Sequence, residues 1–182
     1  MKPMRQAGFL LSALFVTTAA YSQQVTPAAK RLSLNFSPGF FTSGKTVVYG
    51  AGAEAEFYST GSVSTRTDLY CYAGQQKEGV LRQSYQLMIG LVYNFNRGAS
   101  LSYFAGFQPG IGIASAEMTT GGISALKPYP ILSPLFGMHW FFTKHAHVTF
   151  SVRYVFGELS TADTGAVYLS EVRGGVALGC LF

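Results

Sequence analysis

The chain has 182 residues, with 13 basic and 8 acidic side chains and a net charge of +5, a length that suits one domain. Charged residues make up 12% of it, against about 25% in soluble domains, whereas Gly (21), Phe (15) and Tyr (11) are abundant. This composition argues against an ordinary solvated globule, and the mild basicity does not indicate a nucleic-acid binder. The two cysteines, Cys71 and Cys180, are too few for a disulfide framework and are expected to be free thiols.

The amino-terminal residues predict secretion. Two positive charges within Met1–Arg5 precede a short apolar run at Ala7–Ala20, and Ala20-Tyr21-Ser22 offers small residues before a cut at Gln23. We therefore expect a signal peptide at 1–22, a short periplasmic leader at 23–30 and a single mature domain at 31–182. Cleavage leaves 11 basic and 8 acidic residues, a net charge of +3. The rest of the chain has no apolar run of the roughly 20 residues that a membrane helix needs, so any membrane embedding must be by strands.

Apolar and polar residues alternate along most of the remaining chain, which predicts about eight strands. Turns are expected at 42–45, 59–61, 96–98 and near Lys144, and longer polar loops at 74–81, 115–129 and 158–164. Proline cannot donate to a strand ladder, so Pro128, Pro130 and Pro134 place the start of the sixth strand near Leu135.

The last strand shows the alternation most clearly. Counting back from Phe182 in steps of two gives an almost purely apolar file, whereas the intervening file carries glycine, alanine, Arg173 and Glu171. A strand with two such different faces separates two environments.

Charged residues in the middle of strands fall on the polar file. They are Glu54, Glu56, Arg66, Asp68, Arg153, Glu171 and Arg173. An Arg or Lys facing lipid near the bilayer midplane costs about 2 to 4 kcal/mol, so this segregation favours a membrane barrel with the polar file inside. A soluble lipocalin-like barrel would instead face its polar file to water, yet that file is mostly Gly, Ser, Ala, Asn and Gln.

Because an eight-stranded barrel is just wide enough inside for side chains to fill it, the seven charges are expected to form a lumen charge network. The alternative is a narrow ion path or a proton-linked site. In the hairpin around 59–61, like charges should avoid each other, which predicts Glu54 directly opposite Arg66 and not opposite Asp68.

Aromatic residues gather at the ends of the apolar files, which is typical of interfacial girdles. We expect one girdle of Tyr49, Tyr85, Phe156 and Tyr168, and another of Phe57, Tyr93, Phe95, Trp140, Phe142 and Phe182.

Catalytic chemistry has little support in the sequence. His139, His145 and His147 cluster near one turn, and Ser133 lies at the other end of the same strand, so no triad is apparent. His145 and His147 have metal-ligand spacing if they lie on a strand, but no carboxylate or cysteine is near them. We predict no catalytic, cofactor-binding or metal-binding residue.

From Arg31 to Phe182 the chain resembles the OmpA/OmpX-like family of small bacterial outer-membrane β-barrels, through its alternating strands, its short turns at one end with longer loops at the other, and its terminal aromatic residue. The resemblance implies an all-β, eight-stranded antiparallel up-and-down transmembrane barrel whose lumen is filled by side chains. It also implies that Phe182 serves as an assembly signal.

For function, the resemblance implies an outer-membrane protein with a structural, adhesion or envelope-interaction role and no open pore. The expected partners are outer-membrane lipid, lipopolysaccharide and the barrel assembly machinery, without nucleic acid or a cofactor, and the barrel is expected to be a monomer. A lipid- or lipopolysaccharide-modifying enzyme and a soluble secreted lipocalin-like carrier are the alternatives.

Overall fold

A computed structural model describes residues 29–42, 46–59, 62–73, 81–96, 99–116, 125–161 and 165–182. The predicted signal peptide, most of the leader, and parts of three predicted turns and of the three predicted loops lie outside these residues. The strands are β1 (Lys30–Phe41), β2 (Thr46–Tyr58), β3 (Val63–Ala73), β4 (Leu81–Phe95), β5 (Leu101–Ala116), β6 (Lys127–Phe141), β7 (Ala146–Thr161), β8 (Gly165–Tyr168) and β9 (Glu171–Leu181). No helix in the described ranges is long and apolar enough to cross a membrane.

The strands form one closed antiparallel barrel. Strands β1 to β7 each pair with the next in the chain, and β9 closes the ring by pairing with both β7 and β1. The short β8 pairs with residues 158–161 of β7 and extends the wall above β9. The predicted eight-stranded up-and-down barrel is therefore confirmed, with its last strand in two pieces. We call the end that holds Lys30 and Phe182 the terminal rim and the opposite end the loop rim.

Inward and outward positions alternate as predicted. Along β1, Leu34 is 72% exposed and Phe36 55%, whereas Ser33 and Ser37, which flank them, are at most 2% exposed. The aromatic residues predicted for the girdles also lie on the outer surface, from Tyr49 (63% exposed) near the loop rim to Phe182 (74%) at the terminal rim. The period of two was therefore sufficient to assign the faces.

The start of β6 was predicted wrongly. The strand begins at Lys127, and Pro128, Pro130 and Pro134 all lie within it, pairing with β5. On the other side, pairing with β7 skips residues 133 and 134 and does not extend above Ile131. The strand accommodates proline because it gives up one neighbour where a proline lies. The predicted loops at 115–129 and 158–164 are shorter as well, since β5 continues to Ala116 and β7 to Thr161.

Inward-facing rings lie over glycines on neighbouring strands. The rings of Tyr70, Tyr72, Tyr129, Phe104 and His147 are each paired across the ladder with a glycine: Gly52, Gly50, Gly112, Gly137 and Gly179 respectively. A Cβ on any of these glycines would come within 3 Å of the ring. The high glycine content of the polar files therefore makes room for interior aromatic and imidazole rings.

The turn predicted at 96–98 begins with Asn96, whose φ of 51° is the only positive value at a non-glycine residue in the described ranges. Asparagine tolerates this left-handed conformation better than most residues.

Candidate functional site: the buried ionic network

The structure places all seven of the predicted network residues inside the barrel and adds Arg31. Among the described residues, the buried charged side chains are four arginines and four carboxylates, each at most 4% exposed. The interior charge of this set is zero. Burying a charge is costly unless it is paired, so each buried carboxylate needs an arginine or hydrogen-bond donors to offset that cost.

A chain of four charged groups lies across the middle of the lumen. Arg66 on β3 has its Nε 2.8 Å from Oδ1 of Asp68 and its Nη2 2.8 Å from Oε1 of Glu54. Arg153 reaches Asp68 from β7 and also donates to the Gln108 side-chain oxygen, at 3.0 Å. Each carboxylate in this chain has at least one arginine partner, so neither is an isolated buried charge.

Polar neighbours complete the coordination of Glu54. Asn35 Nδ2 donates to Glu54 Oε1 at 2.6 Å and to the Tyr70 hydroxyl at 2.8 Å. Gln108 fixes the other side of the network by donating to the backbone carbonyl of Arg66, at 3.1 Å.

The predicted register of the β2–β3 hairpin is wrong. Glu54 lies opposite Asp68, and Arg66 lies opposite Glu56, a shift of two residues from the expected pairing. The two acids tolerate this position because Arg66 reaches diagonally and contacts both carboxylates. The Glu54–Arg66 ion pair therefore exists, although the two residues are not directly opposite each other.

A separate ion pair lies near the terminal rim. Arg31 on β1 binds Glu56 on β2, and Ser64 donates to the other carboxylate oxygen, as does Asn94 Nδ2 at 3.2 Å. The guanidinium of Arg31 also lies 5.8 Å from the centre of the Tyr58 ring.

A further ion pair joins Arg173 and Glu171 on β9. Tyr72 donates its hydroxyl hydrogen to Glu171 Oε1 at 2.9 Å, and Arg173 donates to the Gln86 side-chain oxygen at 2.5 Å. The guanidinium lies 4.3 Å from the Tyr70 ring centre and 4.8 Å from that of Tyr72. Two aromatic faces therefore supplement the single carboxylate.

Apolar side chains fill the interior between this network and the loop rim. The cluster comprises Phe41, Val48, Tyr70, Tyr72, Met88, Ala114, Tyr129, Ile131, Val155, Leu159 and Leu169. Leu169, which lies between β8 and β9, is 4% exposed and packs inward at the top of the lumen. The described interior is thus filled at both levels, as the sequence predicted.

The histidines do not form a catalytic group with Ser133. Ser133 faces inward on the same strand face as His139, six residues and about 20 Å away. His139 Nδ1 lies 2.8 Å from the Thr149 hydroxyl, and its ring stacks on Phe104 with ring centres 4.3 Å apart. His145 is exposed in the turn before β7, away from the interior.

One serine and one histidine do come together. Ser33 Oγ lies 3.1 Å from His147 Nε2, yet His147 Nδ1 has no hydrogen-bond partner and so no carboxylate orients the ring. Both residues are at most 2% exposed, so neither is accessible from the surrounding solvent. Among the described residues, the nucleophile, base and acid of a triad are therefore not assembled.

The described residues hold no group of three or more His, Cys, Asp or Glu side chains that could bind a metal. Cys71 and Cys180 are free and lie on the outer surface, on β3 and β9.

Phe182 takes part in closing the barrel. Its amide donates to the Lys30 carbonyl at 2.8 Å, and its carbonyl accepts from the Lys30 amide at 3.1 Å. The residue predicted as an assembly signal thus joins the two ends of the described chain.

Comparisons with solved structures identify the fold. Neisserial surface protein A shares 13% sequence identity, with 86% of this chain and 96% of that chain covered and a TM-score of 0.61. The amino-terminal β-barrel domain of Pseudomonas aeruginosa OprF gives 10% identity, 84% and 97% coverage and a TM-score of 0.59. Ail, the attachment invasion locus protein of Yersinia pestis, was solved in complex with the heparin analogue sucrose octasulfate. It shares 12% sequence identity, with 86% of this chain and 100% of that chain covered and a TM-score of 0.58.

No protein-family model and no curated protein sequence matches the chain. At these identities the likeness shows a shared fold, that of small eight-stranded barrels.

Proposed function

We propose that the chain is an integral protein of the bacterial outer membrane, a closed barrel that acts through the segments it displays and not through a pore. One observation supports this most strongly. Between the two rims, the described outward-facing positions carry no charge, while eight charges are buried inside. Lys30 and Glu158, which do face outward, lie at the terminal rim and near the loop rim. A barrel in water would have the opposite arrangement.

The proposed role is structural or in adhesion and envelope interaction. Two of the barrels with this fold are named for a surface location and for attachment, Neisserial surface protein A and the attachment invasion locus protein. The filled interior favours such a role over transport, and the dispersed histidines and serines favour it over catalysis. Lipid, lipopolysaccharide and the assembly machinery are the partners that follow from this location, and the barrel is proposed to work as a monomer.

The direct test is fractionation of cells that express the full chain. The protein should be recovered in the outer membrane and migrate faster on a denaturing gel before heating than after, because a closed barrel resists detergent until it is boiled. Recovery in the soluble fraction without detergent would refute the membrane location. Reconstituted protein should give no steady ion conductance in a planar bilayer, and an ohmic current would refute the closed lumen.

Topology can be tested with two matched epitope insertions. An epitope between Thr119 and Thr120 should be labelled on intact cells, whereas one after Lys144 should be labelled only after the outer membrane is permeabilised. Both insertions lie in connections between strands, so neither interrupts a ladder. The reverse labelling pattern would invert the proposed orientation.

A further inference from the structure

An apolar groove of about 580 Å³ runs across the outer wall of the barrel. It crosses five strands, from β1 through β9, β7 and β6 to β5, and lies between two rows of outward side chains. One row is a continuous series of cross-strand partners: Phe36, Val176, Phe150, Met138 and Tyr103. The groove is separate from the buried network, which lies on the other side of the same wall.

The groove owes its depth to Gly174. A Cβ placed on this residue would meet no atom within 4 Å, so the space above it is open. Val152 pairs with Gly174 on the β7 side. On the β1 side, the ladder between β1 and β9 is interrupted at Ser37 and Pro38, which have partners on β2 but none on β9. Small residues and a gap in the ladder therefore coincide in a wall that is otherwise bulky.

The direction of the groove selects a long, narrow occupant. Five strands have four spacings of about 4.8 Å between them, so the groove is about 19 Å long. Strands in such barrels tilt by about 35 to 45° from the axis, so a row of cross-strand partners climbs the wall by about 12 Å. That rise approaches half of the roughly 30 Å hydrocarbon core, which is the depth of one leaflet.

We propose that this groove holds one hydrocarbon chain of a membrane lipid and retains it more strongly than the surrounding wall does. This proposal rests on the proposed membrane location, because the groove is continuous with the apolar face that would contact lipid. No charged side chain lines it, so recognition is of the acyl chain and not of a headgroup. A second barrel fits less well, since its convex wall cannot enter a slot between two rows of side chains.

The single tryptophan of the chain provides a local probe. Trp140 lies two residues beyond Met138 on the same face of β6, about 7 Å from the groove. A phospholipid with brominated acyl chains quenches tryptophan on contact. Titrating this lipid into detergent micelles that contain the folded protein should give saturable quenching at low lipid fraction.

The Gly174→Leu substitution should occupy the open space above Gly174, where an added Cβ meets no atom within 4 Å. We expect the midpoint of quenching to move at least fivefold towards higher lipid fraction, or the saturable phase to disappear. Ala53→Leu is the matched control, since it also adds a leucine to the outer wall, on β2 away from the groove, and should leave the curve unchanged. If Gly174→Leu fails to give the heat-sensitive folded band, Val152→Phe narrows the groove from its other side.

Each outcome decides the proposal. Identical curves for the wild type, the groove variants and the control would overturn it, as would quenching in the wild type that rises without saturation. A detergent-solubilised dimer that Gly174→Leu converts to a monomer would assign the groove to a second copy of the chain instead. Recovery of the protein without detergent would overturn the membrane location itself, before any quenching is measured.

Discussion

From the terminal rim to its middle, the barrel interior holds ion pairs with hydroxyl and amide partners, together with a small apolar cluster of Val92, Phe104 and Leu135. From the middle to the loop rim it is filled mainly by apolar side chains, beside which lies the Arg173–Glu171 ion pair. Both halves are closed, but by different interactions. In the polar half the free energy of unfolding depends on keeping every ion pair, because an unpartnered buried charge is costly. In the apolar half it depends on volume, because a cavity loses dispersion contacts and hydrophobic transfer energy. Breaking each half should therefore show a different response.

The largest effect is expected from Arg66→Ala in the polar half. The change leaves Glu54 with only neutral donors and Asp68 with Arg153 alone. Breaking a buried pair in this way costs about 3 to 5 kcal/mol. The loss of stability can be measured by urea unfolding in lipid vesicles. At each urea concentration, the folded fraction is the share of protein that runs at the faster position on a denaturing gel before heating.

Lys144→Ala is the control, since Lys144 is exposed in the turn before β7. A surface change of this kind should alter stability by less than about 0.5 kcal/mol. Equal unfolding midpoints for the two variants would show that the ion pairs do not hold the polar half together.

The counterpart in the apolar half is Leu159→Ala. Leu159 is 1% exposed within the cluster below the loop rim, so truncating it should cost about 2 to 4 kcal/mol. The distinguishing measurement is a conservative replacement at each site. Leu159→Met should recover most of the stability, because volume is what matters there. Arg66→Met should recover little, because Glu54 still lacks a charged partner and Asp68 keeps only Arg153. Full recovery at both sites would remove the distinction between the halves.

The sequence predicted the faces of both halves because strand alternation is local information. It missed the start of β6, since the rule against proline in strands does not reveal that a strand can give up one neighbour near Pro134. It missed Arg31 because the first strand was taken to begin at that residue, although stepping back by two from Ser33 places it on the polar file.

The register error has another cause. The prediction considered only directly opposed pairs, whereas Arg66 reaches diagonally to Glu54 and shields it from Asp68. Long, branched side chains make contacts that the ladder alone does not specify. Two other contacts could not be predicted from the sequence. Ser33 and His147 lie on strands that are not neighbours, and the His139–Thr149 contact depends on the register between β6 and β7.

A smaller effect is expected where the polar half reaches the terminal rim and the barrel closes. Deleting Phe182 removes two backbone hydrogen bonds to Lys30, at about 0.5 to 1.5 kcal/mol each. Truncating Phe150, which is 38% exposed on the wall, removes no backbone pairing. The deletion should therefore lower the yield of folded protein in the outer membrane more than Phe150→Ala does, as measured on heated and unheated gel samples. Equal yields would count against a closing role for the last residue.

The smallest effect concerns Tyr72, which belongs to the apolar cluster but donates its hydroxyl hydrogen to Glu171 Oε1 at 2.9 Å. It thus connects the apolar cluster to the Arg173–Glu171 ion pair. Tyr72→Phe keeps the ring over Gly50 and removes only this hydrogen bond, so the loss should be about 1.5 kcal/mol, the lower range for a bond to a charged group. Tyr85→Phe is the control because that ring faces outward, 45% exposed. A double-mutant cycle with Leu159→Ala measures whether the two sites are coupled. If the Tyr72 hydroxyl matters only to Glu171, the stability losses of the two substitutions should add. A loss from Tyr72→Phe no larger than that from Tyr85→Phe would mean that Arg173 alone satisfies Glu171, and that the apolar cluster and the Arg173–Glu171 ion pair are joined by packing and not by this bond.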